Sequence, residues 1–140
     1  MELRGNAVVP LTWGVIRTDG EESFPDRLYK IHRELSDLIL LYRPTEAAVE
    51  KVFLAKNASS ALKLGQARGA AIVTCRAHGL EVREYGAKEI KSAATGYGAA
   101  PKEQVAGMVA RLLGIREPLP PDASDALAMA FCRAVTRDLG

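Results

Sequence analysis

Two hydrophobic periodicities alternate along this chain, and that alternation most restricts its fold. After Pro25, the residues Leu28, Ile31, Leu35, Leu38, Ile39 and Tyr42 recur at helical spacing. Arg27, Lys30, Glu34 and Asp37 fall largely on the opposite face. Arg43-Pro44 predicts the end of this helix, because proline disfavours the α conformation in the residue before it. Residues 47–53 (AAVEKVF) then form a short, nearly continuous apolar run, which suits a buried strand or strand end. Upstream, residues 7–18 (AVVPLTWGVIRT) are rich in β-branched and aromatic side chains and read as a strand. Pro10 in that stretch must lie at an edge or in a turn, and Thr18-Asp19-Gly20 reads as a turn.

The same alternation continues to the C-terminus. Asn57 or Ser59 is positioned to cap a second helix reaching roughly Arg76. That helix carries Gly65 and Gly69 four apart, with Ala61 and Ala67 nearby. Glycine costs about 1 kcal/mol in a helix interior. A small-residue stripe offsets the cost by letting another backbone come close, either within the domain or across a dimer. Residues 80–85 alternate as a strand, and residues 87–94 form a short helix. A flexible segment, Thr95-Gly96-Tyr97-Gly98, leads to Pro101, which opens a helix with Val105, Met108, Val109, Leu112 and Leu113 on its apolar face and Gly114 at its end. The stiff run Glu117-Pro118-Leu119-Pro120-Pro121 delivers the chain into a last helix starting near Asp122, with Ala126, Leu127, Ala130, Phe131, Ala134 and Val135 on its inner side. The order is strand, helix, strand, helix, strand and three helices, so the class is α/β. At 140 residues a single domain is expected.

Composition excludes several classes. Apolar residues make up 48% and charged residues 26%, which rules out disorder, collagen-like repeats and a disulfide scaffold. Cys75 and Cys132 stand far apart in apolar contexts without a CxxC or a nearby histidine cluster. Two reduced core thiols in a reducing compartment are expected, and a structural zinc is not. No stretch is long and apolar enough to span a bilayer, so no membrane partner is expected and the default location is cytoplasmic. The net charge of +2 is unremarkable, but its distribution is not. Residues 1–50 hold six basic and nine acidic side chains, residues 51–102 nine and three, and residues 103–140 four and five. The middle segment therefore concentrates positive charge, which suits a polyanionic partner as well as a merely solvated surface.

Three carboxylates stand out. Glu50 interrupts an apolar run, where a charge is costly unless it is paired, coordinated or placed at an exposed strand end. Asp122 and Asp125 are three apart at a helix start, which puts both on one side of the first turn. On spacing alone, simple capping and dipole complementation explain the aspartates better than a metal does. Together the three acids would suit a divalent metal, because Mg²⁺ takes oxygen ligands and such ions can promote in-line attack on a phosphate.

The run VEKVFLAKNASSALKLGQARG, from Val49 to Gly69, resembles the signature of RuvC-type Holliday-junction resolvases. The ending PPDASDALAMA resembles the same family, as does the intervening YGAKEIKSAATGYGAAPKEQV at matching spacing. The resemblance spans nearly the whole chain from about Trp13. It implies a ribonuclease-H-like mixed sheet flanked by helices, in a homodimer that resolves four-way DNA junctions by paired symmetric nicks in recombination and repair. It also implies Mg²⁺ or Mn²⁺ as cofactor. Position by position, Glu50, Asp122 and Asp125 match acidic residues of the metal site. Phe53 matches an aromatic that projects toward the junction. Lys91 and Lys102 match two phosphate-contacting lysines. The Gly65/Gly69 helix falls in the region resembling the dimer-forming helix, and a branch-migration motor is an implied partner.

One departure is expected to matter. The family begins with a strand carrying Gly-Ile-Asp-Pro-Gly, whose aspartate is a metal ligand, and nothing like it precedes Trp13. The single domain over residues 1–140 thus reads as lacking the family's central first strand, through a misplaced start or a broken gene. Four or so buried apolar side chains at about 1.5–3 kcal/mol each amount to roughly 6–12 kcal/mol, against a typical domain stability of about 5–15 kcal/mol. A chain with that loss is expected to be marginal, inactive or both. Two other functions fit the same residues: a non-catalytic junction-binding protein, and another ribonuclease-H-like structure-selective nuclease.

Overall fold

A computed structural model describes residues 1–51 and 57–136. In chain order its elements are β1 (Glu2–Arg4), β2 (Ala7–Val9), α1 (Phe24–Tyr42), β3 (Glu46–Glu50), α2 (Ala58–Ala77), β4 (Glu81–Tyr85), α3 (Ala87–Thr95), α4 (Lys102–Leu113) and α5 (Pro121–Thr136). This is the predicted α/β alternation with a hairpin at its head. Among the described residues the strands pair as two small sheets, β1 with β2 and β3 with β4. The chain falls into two compact units, Met1–Val15 with Tyr85–Gly140, and Ile16–Glu84.

In the first unit, β1 and β2 run antiparallel with Glu2 opposite Val9, Leu3 opposite Val8 and Arg4 opposite Ala7. Gly5 takes the left-handed φ of 62° that the hairpin needs at its first central position. The strand expected over residues 7–18 is realised only in its first three residues, and residues 10–19 carry no regular structure. The register would next set Pro10 opposite Met1, and proline has no N–H to give to a ladder.

Three helices form the rest of this unit and contact one another pairwise. Helix α3 buries Ile90 and Ala94, and α4 buries Val105, Val109 and Leu113. Gly114 ends α4 in the left-handed region, at φ 69°, as its position predicted. Helix α5 begins at Pro121, where a missing N–H costs nothing, and Ser124 N–H donates to the Pro120 carbonyl at 2.9 Å. Its buried face is Ala123, Ser124, Leu127, Ala128, Met129, Phe131 and Cys132. The expected inner face is corrected here: Ala126 and Val135 are exposed, as is Leu112 on α4. Helix α5 meets both α3 and α4, so its contact surface is broader than one heptad-like stripe.

In the second unit, Ser23 caps α1, its Oγ accepting the Asp26 N–H at 3.3 Å. The helix stops at Arg43, in the left-handed region at φ 50°, directly before Pro44. Asn57 caps α2, its side-chain oxygen accepting from Ser59 N–H at 2.8 Å and Ser60 N–H at 3.4 Å. The two helices pack together. The core holds Ile39, Cys75 and Leu80, with Leu35, Ala47 and Val82 against them. His32 Nδ1 lies 2.8 Å from Thr74 Oγ1, whose own proton goes to the Ala70 carbonyl at 2.7 Å. Because a hydroxyl has one proton to give, the imidazole nitrogen is the donor in that pair.

Two expectations are corrected in this unit. Strand β3 is half-buried rather than buried, and it ends at Glu50. The Gly65 and Gly69 faces of α2 are open, with nothing among the described residues within 4 Å of where a Cβ would stand. Of the two expected explanations for the small-residue stripe, close approach within the chain is not found among the described residues, and packing between two copies is the one left.

Candidate active site

Most of the candidate residues lie at element ends, where side chains leave the packed interior. Asp122 lies in the first turn of α5 and is exposed. Its carboxylate has no hydrogen bond or ion pair among the described residues, so it is not a helix cap. Asp125, one turn on, is half-buried and bonded to Lys102, Nζ to Oδ2 at 2.9 Å. Lys102 is the first residue of α4, where the helix dipole disfavours a cation. The carboxylate from α5 offsets that cost. Spacing alone could not reveal this pair, since the partners are 23 residues apart.

Lys91 is half-buried on α3 and forms no ion pair among the described residues. It belongs to the same unit as Lys102. The segment between them is tighter than expected. Gly96 ends α3 in the left-handed region at φ 77°, its N–H bonded to the Ser92 carbonyl at 2.7 Å. Thr95 Oγ1 accepts the Tyr97 N–H at 3.2 Å, and Ala100 N–H donates to the Tyr97 carbonyl at 3.1 Å. The predicted flexible loop is thus a hydrogen-bonded turn, anchored by the fully buried Ala100.

Glu50 lies in the other unit, at the exposed end of β3. Its carboxylate has no partner among the described residues, so the alternative of a salt bridge with a lysine is not observed. Its backbone is held: Arg68 Nε on α2 donates to the Glu50 carbonyl at 2.9 Å. The Arg68 guanidinium also pairs with Glu84. Sequence reading missed Arg68, because its role depends on a contact across 18 residues. Phe53 lies outside the described residues.

Among the described residues, no group of three or more His, Cys, Asp or Glu is arranged to hold a metal. What the first unit offers is a pair of carboxylates on one helical turn, one free and one already balancing an ammonium. That donor set suits a hard divalent cation, which commonly binds one or two carboxylates and completes its shell with water and phosphate oxygens. The two thiols are separate from this chemistry. Both are buried and free, and burial holds each above its ordinary pKa, with Glu89 adding to the effect at Cys132.

Comparison with known proteins agrees with the architecture. Residues 1–133 match the family model described as crossover junction endodeoxyribonuclease RuvC. The chain is 54% identical over 134 residues to the crossover junction endodeoxyribonuclease RuvC of Geobacter sulfurreducens, covering 96% of this chain and 82% of that protein. It is 54% identical over 129 residues to the protein of the same name from Coxiella burnetii, covering 92% of this chain and 74% of the relative. The structure resembles that of Thermus thermophilus RuvC with a TM-score of 0.88 at 35% identity, covering 99% of this chain and 85% of the other. It resembles T. thermophilus RuvC in complex with Holliday junction substrate with a TM-score of 0.92 at 34% identity, covering 99% and 86%. The ribonuclease-H-like α/β fold expected from the sequence is borne out by these similarities.

Proposed function

The chain belongs to the RuvC family of crossover junction endodeoxyribonucleases, and from that premise we propose that it binds four-way DNA junctions and resolves them by paired symmetric nicks. The observation that supports this most is the Asp122, Asp125 and Lys102 arrangement at the facing starts of α5 and α4, within a chain whose relative was solved with a Holliday junction substrate. In this reading residues 1–140 act as one nuclease domain in the cytoplasm.

Each residue has a physical role in the proposal. Lys91 and Lys102 take phosphates near the cut and offset the charge that builds on the phosphorus oxygens. Asp125 holds Lys102 in the free protein. Phe53 stacks on an unpaired base at the crossover, a contact worth about 1–3 kcal/mol. Asp122 and Asp125 would hold Mg²⁺ or Mn²⁺, with Glu50 as a further proposed ligand, and the ion would supply Lewis-acid activation of water and stabilisation of the leaving oxygen. Two cuts related by symmetry require two copies, so the proposal includes a two-fold dimer. The open Gly65 and Gly69 faces of α2 support that part, as do Leu62 at 64% and Val73 at 66% exposure on the same helix. A branch-migration motor is a further proposed partner.

The test uses a synthetic four-way junction labelled on each strand in turn, with linear duplex, flap and RNA–DNA hybrid as comparisons, in Mg²⁺ and in Mn²⁺. The proposal expects preferential junction binding and nicks at symmetric positions on two opposed strands. Junction binding without cleavage in either metal would make this a non-catalytic junction binder. Preferential cutting of flaps or hybrids would make it a different structure-selective nuclease.

A further inference from the structure

We propose that Tyr97 is a second DNA-stacking aromatic, which lies against an unpaired base beside the phosphates held by Lys91 and Lys102. The proposal rests on the junction-binding reading above and extends it to a residue which that reading leaves without a role.

The observations concern presentation. Tyr97 is 60% exposed, although its backbone is bonded on both sides. Its N–H goes to Thr95 Oγ1, and its carbonyl accepts from Ala100. Gly96 supplies the left-handed conformation before it. Gly98 after it sits close to Lys88, where a Cβ would be 3.6 Å from the Lys88 carbonyl oxygen. The turn is thus hydrogen-bonded to the end of α3 while the ring is largely exposed. The ring makes no aromatic or cation contact among the described residues. Lys91 precedes the turn on α3 and Lys102 follows it on α4. Between Tyr85 and Lys102 there are three basic side chains, of which Lys102 is paired with Asp125, and one acidic.

Proteins hold single-stranded bases by combining cations that track the backbone with an exposed aromatic ring that takes a base face, and here an exposed ring stands between two lysines in the chain. Duplex bases are already stacked and offer no such face. The ring is thus expected to favour the opened crossover over the arms.

Fluorescence anisotropy with the full chain, in a buffer without catalytic metal, tests this with a labelled four-way junction and a linear duplex of matched length. Tyr97→Ala is expected to weaken junction binding about 5- to 150-fold, the range that one base–aromatic stack is worth, and to leave duplex binding unchanged. Tyr97→Phe is expected to restore the wild-type affinity. The slope of log affinity against log salt should be the same for wild type and Tyr97→Ala, because no phosphate contact is lost. Junction binding by Tyr97→Ala equal to wild type, or an equal loss on junction and duplex, overturns the role of Tyr97 alone. A wild-type chain that does not prefer the junction to the duplex overturns the junction-binding reading and this inference with it.

Discussion

Asp125 and Lys102 neutralise one another in the free protein, and their pairing separates binding from chemistry. Both are substantially exposed, at 37% and 64% of their side chains, so the bridge itself contributes little stability. Asp125→Asn keeps the size and polarity of the side chain but removes the charge. It is expected to abolish cleavage of a four-way junction, by gel assay, while a gel shift shows binding retained; normal cutting by this variant would remove Asp125 from the site. Lys102→Gln is expected to weaken binding similarly to junctions of different sequence and to reduce the salt slope by about one, with an unchanged melting temperature. The spacing of Asp122 and Asp125 marked them as candidates, and the family resemblance is what gave them a proposed role. The Lys102–Asp125 and Arg68–Glu50 contacts were not, since each joins residues distant along the chain.

The elements follow from local rules at their ends and tertiary contacts along their faces. Ser23, Asn57, Gly96 and Gly114 all stand where cap chemistry wants them, so helix boundaries fell within a few residues of expectation. Asn57→Ala removes an acceptor from two backbone N–H groups and should cost about 1 kcal/mol in urea unfolding. Phe131 is among the buried residues of α5, 8% exposed. Phe131→Ala should cost about 3–5 kcal/mol through lost transfer energy and a cavity, enough to threaten a domain of ordinary stability. Faces were harder to read than ends. Leu38 and Tyr42 share the predicted stripe of α1 with Ile39, yet only Ile39 is buried. Periodicity shows which residues share a side but not how much of that side a neighbour covers.

At the scale of the whole molecule, both thiols are buried and carry raised pKa values. The folded protein therefore keeps these protons above the ordinary thiol pKa of 9.0, where the unfolded chain releases them. Stability contributed this way is complete below that value and declines as pH rises beyond it. The melting temperature should fall above about pH 9, and less steeply in a Cys75→Ala, Cys132→Ala variant. At pH 8, iodoacetamide should label either thiol slowly in the native protein and fully in denaturant, because the thiolate is the reactive form. No helix among the described residues is long and apolar enough to cross a membrane.

The sequence by itself determined the α/β order, the positions of the helix ends and the three carboxylates worth following, because periodicity, capping and charge act between near neighbours. Only the tertiary structure decided that the strand beginning at Ala7 stops at Val9, that Gly65 and Gly69 face open space, that Asp125 rests on Lys102, and that the loop bearing Tyr97 is a pinned turn. The physical reason is common to all four. Each outcome depends on which partner another part of the chain supplies, and partner supply is set by packing rather than by the local string of residues.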